Sequence, residues 1–129
     1  MSLTLTKNER LYEFRLIRAL FARGRIFSVP HIKVTWLKFN EVAEISNQIM
    51  ISVPKAIHRN ATNRNLIRRR IRESYRLNKS ILYDRRSSKP SQLSFCITYT
   101  SKEIMPYRAI QDKIILLLRR LKEECEKDF

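Results

Sequence analysis

The stretch Asn60-Ala-Thr-Asn-Arg-Asn-Leu-Ile-Arg-Arg-Arg-Ile-Arg-Glu-Ser-Tyr-Arg-Leu-Asn-Lys79 decides how this chain is read. At about 100° per residue, Ile71, Ser74 and Asn78 fall within about 40° of Ile67, with Leu66, Tyr75 and Leu77 beside them. Asn65, Arg68, Arg69, Arg72, Arg76 and Lys79 fall between about 100° and 200° from Ile67, on a single cationic face. Arg64 lies at its edge in the first turn, and Glu73 lies outside it. A helix with so narrow an apolar strip needs a sheet or another helix to cover it. Its sequence neighbours supply one. Residues 48–53 alternate as a strand, with Ile49, Ile51 and Val53 on one face, and Pro54 ends it. Residues 84–91 read as a loop, and 93–100 form a strand with Leu93, Phe95, Ile97 and Tyr99 on one face.

The ends of the chain extend the pattern. Thr6–Arg23 reads as a helix, with Thr6 and Glu9 at capping-box spacing and Leu11, Phe14, Ile17 and Phe21 along one side. Gly24, the one glycine in the chain, is expected at a left-handed C-terminal position. Residues 31–39 alternate as a strand, with Ile32, Val34 and Trp36 on one face and Lys33, Thr35 and Leu37 on the other. Residues 40–47 read as a hairpin loop leading into the next strand, and Arg25–Val29 is a weaker strand candidate. Pro106 marks a helix start, and Tyr107, Ile110, Ile114, Leu117, Leu118 and Leu121 make a stripe running to about Cys125. The expected fold is α+β, a single domain over residues 1–129 with one sheet packed on helices.

Composition limits the function. The chain has 129 residues, a formal net charge of +15 and 43% hydrophobic residues. That is one domain with a real core. The charge is uneven: residues 55–89 carry a net +10. A concentration of this kind marks a polyanion-binding face. No apolar run approaches the about 20 residues of a membrane span. The apolar strip of the basic helix is too narrow for a membrane-surface helix. Cys96 and Cys125 form no disulfide framework, and residues 1–10 have no signal-peptide core, so a cytoplasmic location is expected. His31 and His58 make no metal spacing with the cysteines. With one glycine there is no phosphate loop, and no carboxylate pair or Ser/His/Asp set is evident.

The chemistry of the basic face suits nucleic acid. Arginine presents a planar fork to phosphate oxygens. Arg64, Arg68, Arg72 and Arg76 repeat every ~6 Å along the helix axis, close to the spacing of phosphates along a strand. Like charges at i, i+4 cost a few tenths of a kcal/mol per pair, a cost that a purely structural helix has no reason to carry. An exposed aromatic near this face, Phe21 first among them, can stack on an unpaired base. Lys33 and Thr35 are expected to line the same groove.

Ile51-Ser-Val-Pro-Lys55, then Asn60-Ala61, then Arg64-Asn65-Leu-Ile-Arg-Arg-Arg-Ile-Arg-Glu-Ser-Tyr75, resembles the signature of the bacterial ribonuclease P protein subunit. The opening helix and the order of elements resemble that family as well, over about residues 8–122. Leu66 stands where the family's Arg-Asn-Arg motif has its last arginine, which should remove one RNA contact. Ile17 stands where an aromatic is common, and the Lys55–Asn60 stretch holds one extra residue.

The resemblance implies an α-β-β-β-α-β-α fold with a left-handed βαβ crossover. It implies two RNA partners, the catalytic ribonuclease P RNA and precursor tRNA, with no protein partner evident. The reaction would be endonucleolytic removal of the 5′ leader, with Mg2+ held mainly by the RNA and no catalytic residue in the protein. Arg64, Asn65, Arg68, Arg69, Arg72 and Arg76 would bind RNA, with Lys55, Arg59, Arg70 and Lys79 as further candidates. Ile17, Phe21, Lys33 and Thr35 would line a cleft for the leader. Three other classes compete with this reading, and composition and the basic helix fit the first of them equally well. These are a structural or ribosome-associated RNA-binding protein, a DNA-binding module and a protein-only nuclease. The first lacks only the motif context. The second needs a short helix before residue 60, and the third a carboxylate cluster.

Overall fold

The computed structural model describes residues 10–11, 14–40, 47–83 and 91–127. The elements run α1 (Phe14–Arg23), β1 (Arg25–Val29), β2 (Ile32–Asn40), β3 (Gln48–Ser52), α2 (Ala61–Asn78), a short α3 (Ser80–Tyr83), β4 (Ser91–Tyr99) and α4 (Tyr107–Lys127). The described strands form one four-stranded sheet in the order β1-β2-β4-β3. β1–β2 and β2–β4 are antiparallel, and β3–β4 is parallel. A parallel neighbour cannot be reached by a tight turn, so α2 and α3 fill the crossover from β3 to β4.

The period-two alternation of each strand sorts its side chains onto two layers. Phe27, Val29, Ile32, Val34, Trp36, Ile49, Val53, Leu93, Phe95, Ile97 and Tyr99 face one way. They meet Ile67, Ile71 and Tyr75 of α2 and Ile110, Ile114, Leu117, Leu118 and Leu121 of α4 in the main core. The apolar stripe expected of the last helix is buried here. On the opposite sheet face a smaller cluster joins Leu11, Leu20 and Cys96, with Leu16, Ile17, Leu37 and Met50 packed against it. Burial pushes the Cys96 thiol above its usual range.

Several expectations are corrected. β2 and β3 do not form a hairpin, because β4 lies between them. Leu93 through Ile97 are all buried, whichever face they point to, which is what a central strand requires. The weak candidate Arg25–Val29 is a full strand, paired along its length with β2. Its turn to β2 is Pro30-His31, so His31 belongs to the turn and not to the strand. His31 has φ 73°. A proline followed by a positive φ is the order of a type II turn, where glycine or asparagine is usual. The His31 carbonyl accepts from Thr100 N at 2.9 Å, which ties this turn to the end of β4.

Gly24 does not adopt a positive φ. Its reason is steric. A Cβ there would lie 2.2 Å from the Leu20 carbonyl oxygen and 3.0 Å from both Thr35 Cγ2 and the Trp36 carbonyl oxygen. The missing side chain lets α1 close directly onto β2. Phe14 is not core but 69% exposed, with the Arg18 guanidinium 5.6 Å from its ring centroid. The proposed cap at Thr6 and Glu9 lies outside the described residues, as does most of the 84–91 loop.

Candidate nucleic-acid interface

The geometry of α2 begins with its cap. Asn60 is extended, and its side-chain oxygen accepts from Thr62 N at 2.8 Å and Asn63 N at 3.4 Å. The incoming loop folds on the Pro54 carbonyl, which accepts from Ile57 N and His58 N. His58 is buried, its Nε2 is 2.7 Å from the Ser101 carbonyl oxygen, and its ring packs 5.7 Å from that of Tyr99. On the far side of the helix, Arg70 donates to the Met105 carbonyl at 2.6 Å. These bonds clamp the first half of α2 to the segment between β4 and α4.

The arginines of α2 therefore divide into two groups. Arg64 Nη1 donates to the carbonyls of His58 (2.9 Å) and Arg59 (2.8 Å), so it fastens the loop that leads into its own helix. Arg70 is half-buried against Met105 and points away from the cationic face. Arg76 forms a forked ion pair with Glu73, with Nε 3.0 Å from Oε2. The hydrogen bond from Arg76 holds the Glu73 carboxyl below the usual carboxylate range, and the same bond pushes Arg76 up. Arg68, Arg69 and Arg72 are left facing outward with Asn65. Arg68 Nη1 donates to the Asn65 side-chain oxygen at 3.2 Å, which fixes one against the other.

Lys79 departs from the helical wheel. α2 stops at Asn78, the chain turns into α3, and packing at that corner leaves Lys79 only 2% exposed. It is not part of the outward cationic face. Lys55 and Arg59 are exposed on the loop before α2. Leu66 is half-buried, on the apolar side.

The residues expected to line a leader cleft are on the other face of the sheet. α2 covers the main-core face, whereas α1, Lys33 and Thr35 belong to the opposite one, so these residues do not share a groove with the basic face directly. Thr35 is buried at 3% exposure where α1 closes on β2, and it offers no accessible surface. Ile17 is half-buried in the small cluster beneath α1. Phe21 is 55% exposed, and Lys33 is half-buried.

Strand register shows what sequence reading missed. Ser28, Lys33, Thr98 and Ser52 are mutual partners across all four strands, so they form one polar row on that face. Ser28 is exposed and the other three are half-exposed. Ile26, paired with Thr35 one row away, is 62% exposed. The alternation of each strand was readable in sequence, but the neighbour order that builds the row was not. The other missed feature is a cleft of about 230 Å3 at the β3 edge, lined by Arg10, Leu11, Ile49, Met50, Ile51, Arg68 and Arg72. Here the basic face of α2 reaches round the edge of the sheet toward the α1 side.

Among the described residues, no three His, Cys, Asp or Glu side chains gather where they could hold a metal. No described helix is long and apolar enough to cross a membrane.

Comparison with known proteins gives a consistent picture. The family model described as Ribonuclease P matches residues 5–122. The ribonuclease P protein components of two Porphyromonas gingivalis strains are 31% identical over 107 residues, covering 83% of this chain and 78% of each relative. Among solved structures, the ribonuclease P protein of Thermotoga maritima superposes with a TM-score of 0.68 at 22% identity, over 87% of this chain and 96% of that one. That of Staphylococcus aureus gives a TM-score of 0.66 at 22% identity, over 88% and 95%. These structures share the α+β arrangement described above.

Proposed function

The chain belongs to the ribonuclease P protein family, a family of proteins associated with the ribonuclease P RNA, and from that premise we propose how its surfaces divide the work. In this reading α2 binds the catalytic RNA, and the open sheet face beside α1 holds the single-stranded 5′ leader of precursor tRNA. The observation that supports it best is the sorting of the α2 arginines. Arg64, Arg70 and Arg76 are engaged within the protein, while Arg68, Arg69 and Arg72 point outward along one side. Three guanidinium forks at one surface match RNA phosphates without needing to read bases.

On the other face, the exposed Phe21 offers a stacking surface for one unpaired base. Lys33 pairs with leader phosphates, and the hydroxyls of Ser28, Ser52 and Thr98 give hydrogen bonds to phosphate or ribose oxygens. The protein supplies charge. It screens the repulsion between two polyanions, so that less Mg2+ is needed to bring them together. The Mg2+ that assists phosphodiester hydrolysis belongs to the RNA in this reading, and no protein side chain takes part in the chemical step.

The test is cleavage of a precursor tRNA by a bacterial ribonuclease P RNA at low Mg2+, with and without the protein. The expected result is that the protein restores correct 5′ cleavage and that the Arg68→Ala/Arg72→Ala double variant does not. Tight RNA binding without stimulation would overturn the proposal in favour of a general or ribosome-associated RNA-binding role.

A further inference from the structure

The cleft at the β3 edge has a composition that the outward arginines alone do not explain. Its floor is Leu11, Ile49, Met50 and Ile51, and its rim is Arg10, Arg68 and Arg72. Arg10 bridges Ile49 in parallel fashion, and Leu11 N donates to the Ile49 carbonyl at 2.9 Å. Among the described residues the bridge involves that one pair. Backbone polar groups alternate sides along a strand. The N–H and C=O of Ile51, two residues on from Ile49, therefore turn to the same outer edge, just past the bridge. That edge adjoins the apolar lining, and Arg10, Arg68 and Arg72 line the same cleft.

A bare phosphate would use only the rim. A duplex backbone would pass over the rim and leave the floor empty. An apolar peptide would fill the floor but leave three cations facing it. An unpaired nucleotide uses every part, with its base on the floor and its phosphate on the arginines. We propose that this cleft is a nucleotide subsite that takes one unpaired nucleotide of the partner RNA. The base lies against Leu11 and Met50 with its edge toward the Ile51 backbone, and the phosphate lies between Arg68 and Arg72. Arg10 closes the site from the N-terminal side. A cleft of about 230 Å3 is below the size of a drug-like pocket and suits a single planar base. The site gives the protein a fixed point of register on an RNA that its other arginines hold through phosphates alone. The inference rests on the RNA-binding reading of α2 and adds to it a position and a chemical class.

The experiment is titration of the full, 15N-labelled chain with AMP, CMP, GMP and UMP, and separately with ribose 5-phosphate, followed by amide chemical shifts. The nucleotides are expected to shift the amides of Leu11, Met50, Ile51 and Ser52. At least one of them should bind about tenfold more tightly than ribose 5-phosphate, the share that burying the apolar face of a base supplies. Arg10→Ala should weaken that nucleotide several-fold while leaving the remaining amide spectrum in place. Equal affinity for ribose 5-phosphate and all four nucleotides would overturn the inference, as would shifts confined to α2 or an Arg10→Ala variant that binds as the parent does. The two readings fail separately. Loss of base discrimination with intact stimulation of precursor tRNA cleavage removes only the subsite. Nucleotide binding at β3 without stimulation removes only the catalytic-RNA partner.

Discussion

Arg64 and Arg72 are two helical turns apart and look equivalent in sequence, yet the structure engages the first within the chain and leaves the second facing outward. Both hydrogens of Arg64 Nη1 are taken by the carbonyls of His58 and Arg59. A charge-assisted bond contributes about 1.5–3 kcal/mol when well shielded. The Arg59 bond is exposed and the His58 bond only part-buried, so the pair together is worth about 1.5 kcal/mol after solvent screening. Arg64→Ala should therefore lower stability by about that amount, or ~6 °C in Tm for a domain of this size. Arg72 stabilises nothing comparable. Its neighbours at i±4 are Arg68 and Arg76, so Arg72→Ala removes two like-charge pairs and should leave stability unchanged or raise it by a few tenths of a kcal/mol. RNA affinity should respond in the opposite order. Arg72→Ala should weaken binding about five- to tenfold and reduce the slope of log K against log salt by about 0.7–0.9, the loss of one phosphate contact. Arg64→Ala should keep that slope at temperatures where it is folded. Urea unfolding and salt-dependent RNA binding on both variants measure all four quantities. A stable Arg64→Ala protein that loses a full unit of salt slope would refute the division.

Glu73→Gln should release Arg76 from its forked pair, tightening RNA binding several-fold and increasing the salt slope by about 0.7–0.9. The same pair sets a pH dependence. Because the folded-state carboxyl of Glu73 is depressed, its contribution is present above the ordinary carboxylate range and is lost as pH falls through the lowered value. RNA affinity should rise over that acid window in the parent but not in Glu73→Gln, which filter binding against pH measures. Gly24→Ala should destabilise the protein by about 2–3 kcal/mol. The new Cβ meets two backbone carbonyls, and that overpacking exceeds the 0.4–1 kcal/mol gained from a stiffer unfolded chain; equal urea midpoints for the variant and its parent would contradict this.

How much was readable in sequence depended on whether the information was local. The face of α2 that packs inward was legible, because Ile67, Ile71, Ser74 and Tyr75 recur at the helical period and are the residues it buries. The α4 stripe was legible for the same reason. Strand alternation placed Lys33 and Thr35 together on one sheet face. It could not show that α1 closes over Thr35 and leaves Lys33 half-exposed, because the closeness of α1 depends on Gly24 and on where the helix lands. The hairpin reading of β2 and β3 failed because strand order is a non-local choice: β4, distant in sequence, pairs with both. The wheel failed at Lys79 because it assumed the helix continued. The motif resemblance singled out Arg64 as an RNA contact, whereas the folded chain turns its side chain onto carbonyls of its own loop.

The fate of each arginine also explains how so cationic a helix remains folded. Unrelieved, the run Arg64, Arg68, Arg72 and Arg76 would place three like-charge pairs at i, i+4, costing about 1 kcal/mol together. Burial of Ile67, Ile71 and Tyr75, each worth about 1.5–3 kcal/mol, outweighs that by itself. The repulsion is reduced further because the two ends of the run are neutralised locally, Arg64 by carbonyl dipoles and Arg76 by Glu73. What stays uncompensated is the middle, Arg68, Arg69 and Arg72, held outward by a helix whose opposite side is pinned through Arg70 and Met105. Excess charge on α2 is thus confined to about one turn of helix, beside the β3 edge of the sheet. A polyanion approaching this surface meets three outward arginines at the place where the chain also offers a cleft. Coincidence of field and shape at that point is what a charge-reversed variant such as Arg72→Glu would separate. It should abolish RNA binding while leaving the main core intact and the unfolding free energy from urea within a few tenths of a kcal/mol of the parent.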